Sequence, residues 1–473
     1  MTKSIRLALA LAIVLFEAGN ALAQGELLPA DPALVRGTLD NGLTYLIRKH
    51  GNPERRVSLW LHVASGSLNE TDETRGIAHY LEHMAFNGSA NFPPGSLIPY
   101  FQSLGLSFGR DQNAFTSFDQ TTYTLGLPDT KPETIDKGLL YLSDVAMRLS
   151  LLPVEIGNER QIILEEKRAR AGARQRVQDQ IYERLAPEST FGRRLPIGAE
   201  STINSVTATD FREYYTRWYV PSNMTVIVVG DIDPAVVASL IRQHFGAGPK
   251  APRPADRPVG VTPQTTTQAI VATDPELTQA SVTIVRVEPP RPPTTTVEQH
   301  RRDLVELIGV WVLNRRLQAQ LAQGTAPFLR AHASIRQEAG AIRLVSLEAS
   351  GKPGDWRKML GDLGVSLQRA RLHGITDREL GDARAALIAQ GEEALQREAT
   401  LPARAILRQI NGAVTRREPV MSAAQRLELA RRLLPGITAV EVSRAFAANF
   451  DPTHVTFIAE LPTGSDVPGE ADL

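Results

Sequence analysis

The chain has 473 residues, 42% hydrophobic and 22% charged, and its 52 basic residues balance 52 acidic ones. That length exceeds one ordinary core, so two or more domains are expected, and the composition is globular, not disordered. Zero net charge without a long basic run excludes nucleic acid or an anionic membrane surface as the main partner; the absence of cysteine excludes disulfides, a cysteine-borne lipid anchor and a thiolate nucleophile or metal ligand.

The N-terminus reads as an export signal. Lys3 and Arg6 precede the apolar run "LALALAIVLF", and "ALA" at 21–23 presents small residues ahead of Gln24. A signal peptide over 1–23, cleaved near Ala23/Gln24, is expected, and no later stretch approaches the length of a membrane span. The mature protein is expected to be periplasmic in a Gram-negative source.

Next, "TLDNGLTYLIRKH" (38–50) sets Asn-Gly between apolar runs, a hairpin signal. "VSLWLHVASGS" (57–67) and "NAFTSFDQTTYTLGLP" (113–128) read as strands, and helical patterns cover roughly 73–87, 131–149 and 154–183. Segment 246–266, "GAGPKAPRPADRPVGVTPQTT", is rich in Pro and Gly, lacks periodicity and reads as an extended linker. It separates an N-terminal domain (24–245) from a C-terminal domain (267–473). The two halves end alike. "TATDFREYYTRWYVPSNMTVIVVGD" (207–231) aligns without a gap on "TAVEVSRAFAANFDPTHVTFIAELP" (438–462) at an offset of 231, with Thr207, Ala208, Pro221, Thr225 and Ile227 meeting identical residues. Each reads as helix, proline-marked turn and strand. The expected fold class is α+β: two homologous α/β domains, each a mostly antiparallel sheet with helices packed on one face.

The chemistry gathers in "RGIAHYLEHMAFNGS" (75–89). On a helix, His79 and His83 are i and i+4, so both rings leave one face and can bind one metal ion. Glu82 flanks that face, within reach of a metal-bound water without ligating the metal. This is the H-x-x-E-H order. The flanks Ile77, Ala78, Leu81, Met84 and Phe86 bury the helix, and burying that polarity unpartnered is costly. Zinc requires a third protein ligand and an open position. In "GNERQIILEEKRAR" (157–170), Glu159, Ile162, Ile163 and Glu166 share one helical stripe, so both carboxylates are expected inward and Glu165 outward. Glu166 is the expected third ligand, and Glu159 is expected to orient a ligand or the water.

With "NERQIILEE" and "YVPSNMTVIVVGD", these motifs resemble the pitrilysin-like (M16, inverzincin) metallopeptidases over nearly all of the mature chain, most specifically in 55–235. Within the family, "FGRDQNAFTSFDQTTYTLGLP" is most similar to the bacterial zinc proteases of the PqqL type. The resemblance implies a zinc endopeptidase with one Zn²⁺ per chain, His79, His83 and Glu166 as ligands and Glu82 as general base. The interval from His83 to Glu166 is a few residues longer than in much of the family. It implies a clam-shell of four such domains, of which this chain supplies half, and a peptide substrate added as a strand at Asn113 and Ala114. Active single-gene relatives carry an Arg and a Tyr in the second half that hold substrate. In "LNRRLQAQLAQGTAPFLRAHASI" (313–335) the positions after Arg316 and Leu317 hold Ala322, Gln323 and Gly324, then Phe328 and Leu329, with Arg330 nearby. The pair is missing, and the second half has no H-x-x-E-H. The expectation is therefore a catalytic subunit whose homologous partner supplies Arg and Tyr. A non-catalytic scaffold on a peptidase fold and a self-sufficient homodimeric peptidase are the competing readings. Ligand type alone also admits Mn²⁺ or Co²⁺.

Overall fold

The structure is a computed structural model describing residues 25–464 and 467–473. The expected export signal lies outside the described residues.

Eleven strands among the described residues form two sheets. The first contains β1 (Leu34–Thr38), β2 (Thr44–Lys49), β3 (Val57–Val63), β4 (Gln112–Thr116), β5 (Thr121–Leu127) and β6 (Met224–Gly230), in the order β1-β2-β6-β3-β5-β4. The second contains β7 (Gln268–Asp274), β8 (Ala280–Glu288), β9 (Arg330–Glu338), β10 (Ile342–Gly351) and β11 (Thr456–Pro462), in the order β7-β11-β8-β10-β9. Without β1, the first order maps onto the second strand for strand. Each sheet has one parallel pair, β2 with β6 and β7 with β11, and is otherwise antiparallel. The terminal helices Ala208–Trp218 and Ala439–Asn449 also lie 231 residues apart, matching the offset of the sequence repeat. The α+β class with two homologous units is what the structure has.

The Asn41-Gly42 signal forms the β1–β2 hairpin, with Gly42 at a φ of 93°. The run 113–128 is itself a hairpin, β4 and β5, closed by Ser117 N–H donating to Gln120 O at 2.8 Å. The helical pattern over 154–183 is two helices, Pro153–Arg170 and Ala173–Leu185, interrupted at Ala171 and Gly172. The break has a packing cause. The second helix turns Val177, Ile181, Tyr182 and Leu185 onto Ile270, Ala272, Val285, Val287 and Ile458 of the other half's sheet.

Each half covers one face of its sheet with its own helices. In the first half Pro132–Met147, Ala208–Trp218 and Pro234–Phe245 contribute Leu139, Phe211, Trp218 and Ile241 to that core. The opposite face of the first sheet is also apolar, at Leu46, Trp60, Ile227 and Val229, and it takes the second-half helix Ala403–Arg416 through Ile406, Leu407 and Ile410. Burying each such side chain contributes about 1.5–3 kcal/mol. The exchange of helices is reciprocal and fastens the halves together. A buried polar group fixes its register: His62 Nδ1 lies 3.0 Å from Asn411 Oδ1, and Asn411 Nδ2 donates to Gln120 Oε1 at 2.8 Å. Burial pulls His62 down to about 4, against its hydrogen bonds to Asn411 and Gln120, so it is neutral here. Residues 246–267 contain no helix or strand; Val259 and Val261 pack beside the Val177 cluster, and Val259 O accepts from Thr190 N–H at 2.8 Å.

Candidate active site

The helix Ile77–Met84 has eight residues, too few to persist alone in water. Packing holds it: every residue except His83 is buried. Its first N–H groups find a partner outside the helix. The Glu70 carboxylate accepts from Gly76 N–H at 2.8 Å and from Ala78 N–H at 2.9 Å, satisfying donors that no N-cap side chain reaches. Gly76 sits at a φ of 96°, and a Cβ there would come 2.9 Å from Gly198 Cα, so only glycine fits this entry.

One helical turn separates His79 and His83, whose rings meet edge to face with centroids 4.8 Å apart. The helix Pro153–Arg170 brings Glu166 to them. Glu166 Oε2 lies 3.5 Å from His79 Nε2 and 3.1 Å from His83 Nε2. One candidate ligand atom from each of the three residues lies within 4.8 Å of the other two. Two turns earlier on the same helix, Glu159 Oε1 accepts from His83 Nδ1–H at 2.8 Å, and its Oε2 accepts from Asn87 Nδ2 at 2.6 Å. Glu82 is 7% exposed, and its Oε2 accepts from Thr116 Oγ1 at 2.7 Å.

Burial lowers the His79 imidazole to about 4, and neighbouring His83 adds to the fall. For His83, burial is outweighed by hydrogen bonds to Glu159 and Glu166, which raise it to about 9. The hydrogen bond to His83 holds Glu166 down at about 2, against burial. Burial lifts Glu82 to about 7, with the Thr116 hydrogen bond pulling the other way. Glu166 Oε2 is buried at the point where both Nε2 atoms converge and meets no donor beyond those imidazoles, while Oε1 pairs with Arg170. A carboxylate oxygen so situated calls for a cation, and two imidazole nitrogens with one carboxylate oxygen form a catalytic-type zinc donor set that leaves a coordination position open. The residues fit the metal.

One detail of the stripe differs from expectation. Ile162 is not inward but 52% exposed; the inward side is Ile156, Glu159, Ile163 and Leu164. The helix lies at the rim of its core, so the buried arc is narrow and Ile162 falls on its open side. Glu165 is exposed and pairs with Arg168. Asn113 and Ala114 lie on β4, the last strand of its sheet. Asn113 Nδ2 donates to Gly109 O at 3.0 Å, while its Oδ1 takes the Ala114 N–H at 2.9 Å. In the second half, Arg316 is engaged by Glu379 at 2.7 Å, Phe328 is buried, and Leu329 and Arg330 are exposed. Sequence reasoning missed Glu70, Asn87 and Thr116. Each is a common polar residue whose partner is set by the fold, and no local spacing singles it out.

Two family models match the chain: Insulinase (Peptidase family M16) over residues 45–195 and Peptidase M16 inactive domain over residues 205–387. The chain belongs to peptidase family M16. Among curated relatives, the probable zinc protease PqqL of Escherichia coli is 40% identical over 222 residues, covering 47% of this chain and 24% of that protein. The probable zinc protease PqqL of Haemophilus influenzae is 29% identical over 443 residues, covering 89% of this chain and 46% of that protein. The crystal structure of the first half of the periplasmic protease PqqL from Escherichia coli superposes with a TM-score of 0.87 at 27% identity, covering 92% of this chain and 93% of that one. The chain thus spans less than half the length of these two curated relatives.

Proposed function

We propose that this chain is a zinc-dependent endopeptidase acting on peptides or unfolded polypeptides. The observation that carries the reading is the convergence of His79 Nε2, His83 Nε2 and Glu166 Oε2, with the Glu82 carboxylate on the same helix. In this reading those three atoms hold one Zn²⁺. When bound, zinc supplies a Lewis acid and acidifies the adjacent water. Glu82 accepts the proton of the attacking water and returns it to the departing amine. Glu159 takes the Nδ1–H of His83, which fixes the ring and presents the Nε2 lone pair. The peptide adds as a strand along β4, whose outer edge has no partner strand among the described residues. Asn113 and Ala114 contact the substrate backbone, and the Asn113 side chain swings off the Ala114 N–H to release that donor.

The same reading assigns the site to a catalytic domain over 24–245, a linker over 246–266 and a C-terminal domain over 267–473 without a metal. Export with cleavage near Gln24 and a periplasmic location belong to it; the periplasmic description of the Escherichia coli protein supports this. A second, homologous two-domain unit completes the chamber and supplies the Arg and Tyr that stretch 313–335 lacks. The greater length of the PqqL relatives supports a requirement for more than two domains. A homodimer would bring no Arg/Tyr pair, and a scaffold would have no need of a base beside a metal cluster.

The test is metal analysis and cleavage of a quenched-fluorescence peptide by the purified mature chain, with and without a homologous unit carrying the pair. About one zinc per chain, with cleavage that rises when the unit is added, supports the reading. A zinc-free chain inert in both conditions defeats it; full activity from the chain alone defeats the heterodimer.

A further inference from the structure

Glu82 is held by a residue that no sequence motif marks. Among the described residues, the only side-chain hydrogen bond its carboxylate receives comes from Thr116 Oγ1, to Oε2, at 2.7 Å. Thr116 is the last residue of β4 and pairs in register with Thr121 of β5. Thr121 is fully buried and spends its own hydroxyl proton on Ser65 O at 2.9 Å, so it does not compete for Glu82.

The end of this hairpin is tied on two sides. Ser117 O accepts from Ser67 N–H at 3.1 Å and Phe118 O accepts from Leu68 N–H at 2.8 Å. Gly66 lies so close that a Cβ would meet Ser117 O at 2.2 Å. From the far side, Asn411 of the second half donates to Gln120 at 2.8 Å. Four residues after Gly66 comes Glu70, which caps the helix that carries His79, Glu82 and His83. The donor and the base it holds are therefore set by one frame.

We propose that Thr116 is a positioning residue for Glu82. Its hydroxyl fixes one carboxylate oxygen and leaves Oε1 without a side-chain hydrogen bond among the described residues, available as the proton acceptor. A glutamate has three side-chain torsions, and freezing them has an entropic cost that an unanchored base would meet in every turnover. The proposal rests on the peptidase reading for its kinetic consequence. It also gives β4 two roles: its outer edge takes the peptide while its last residue sets the base.

Thr116→Val preserves volume and branching and deletes the donor; Thr116→Ser restores it. With the mature chain and its partner unit, kcat of Thr116→Val should fall on the order of tenfold to a hundredfold, the range for losing a hydrogen bond to a charged group. KM and zinc content should stay at the wild-type level, and Thr116→Ser should recover most of the rate. The crystal structure of metal-free Thr116→Val should show the Glu82 carboxylate rotated from its wild-type position. A wild-type kcat, a rise in KM in place of the fall in kcat, loss of zinc, or an unmoved Glu82 carboxylate would each overturn the assignment. Failure of the wild type to cleave any peptide would instead defeat the peptidase reading, and the Glu82 position in the variant crystal would still decide this one.

Discussion

His83 Nδ1 lies 2.8 Å from Glu159 Oε1, and Glu159 reaches on to Asn87 Nδ2 at 2.6 Å. The two oxygens of one carboxylate thus join the end of the His79 helix to the helix that carries Glu166. The His83 ring has its tautomer and tilt set from the side away from Glu166. Removing that support should weaken the metal site without removing a ligand. Glu159→Gln is expected to lower zinc affinity about tenfold to a hundredfold, measured by competition with a chromogenic chelator. Unchanged affinity would mean that packing alone orients His83.

Glu82→Gln should retain zinc and lose turnover. The amide keeps the shape and cannot accept the proton of the water, so kcat should fall by about two to four decades, the usual contribution of a general base. Metal content by elemental analysis, read beside peptide cleavage, checks both halves of the statement.

Glu166→Gln should cost far more zinc affinity than Glu165→Gln. Glu166 Oε2 faces both Nε2 atoms, whereas Glu165 is exposed and pairs with Arg168. An equal loss from the two variants, by calorimetric titration, would contradict the geometry.

Asn411→Ala should destabilise the chain by about 1–3 kcal/mol, because it removes the amide that hydrogen-bonds both to buried His62 and to Gln120. Urea denaturation of variant and wild type reads the difference, with the midpoint expected to move down.

Glu460 gives a pH signature. Burial, with Glu348 nearby adding to it, lifts its carboxyl from 4.5 to about 7 in the folded chain. A raised carboxyl contributes stability that is full below about pH 4.5 and is lost as pH rises through about 7. Glu460→Gln should match the wild type near pH 4.5 and exceed it near pH 8 by on the order of 1–2 kcal/mol. A Tm difference of the same size at both pH values would show that the carboxyl is not the cause.

The local chemistry was legible because its spacing is helical. His79, Glu82 and His83 lie within one turn, so three chemical groups share one side of a helix whatever surrounds it. The repeat at offset 231 was legible for a similar reason: helix, turn and strand each leave a short-range pattern. The pairing of Glu166 with Glu159 followed from a stripe on one helix, but Ile162 on the same stripe is open to solvent, because periodicity gives a face and not the width of its burial.

Tertiary structure alone decided what crosses elements. Glu70 capping the His79 helix, Thr116 holding Glu82 and Asn411 locking Gln120 join residues 8, 34 and 291 positions apart. Nothing local distinguishes these residues from other polar side chains, since a hydrogen bond depends on where two chains meet in space. The exchange of helices between the halves has the same origin. Which helix covers the apolar second face of each sheet is settled only when both halves compete to remove that surface from water.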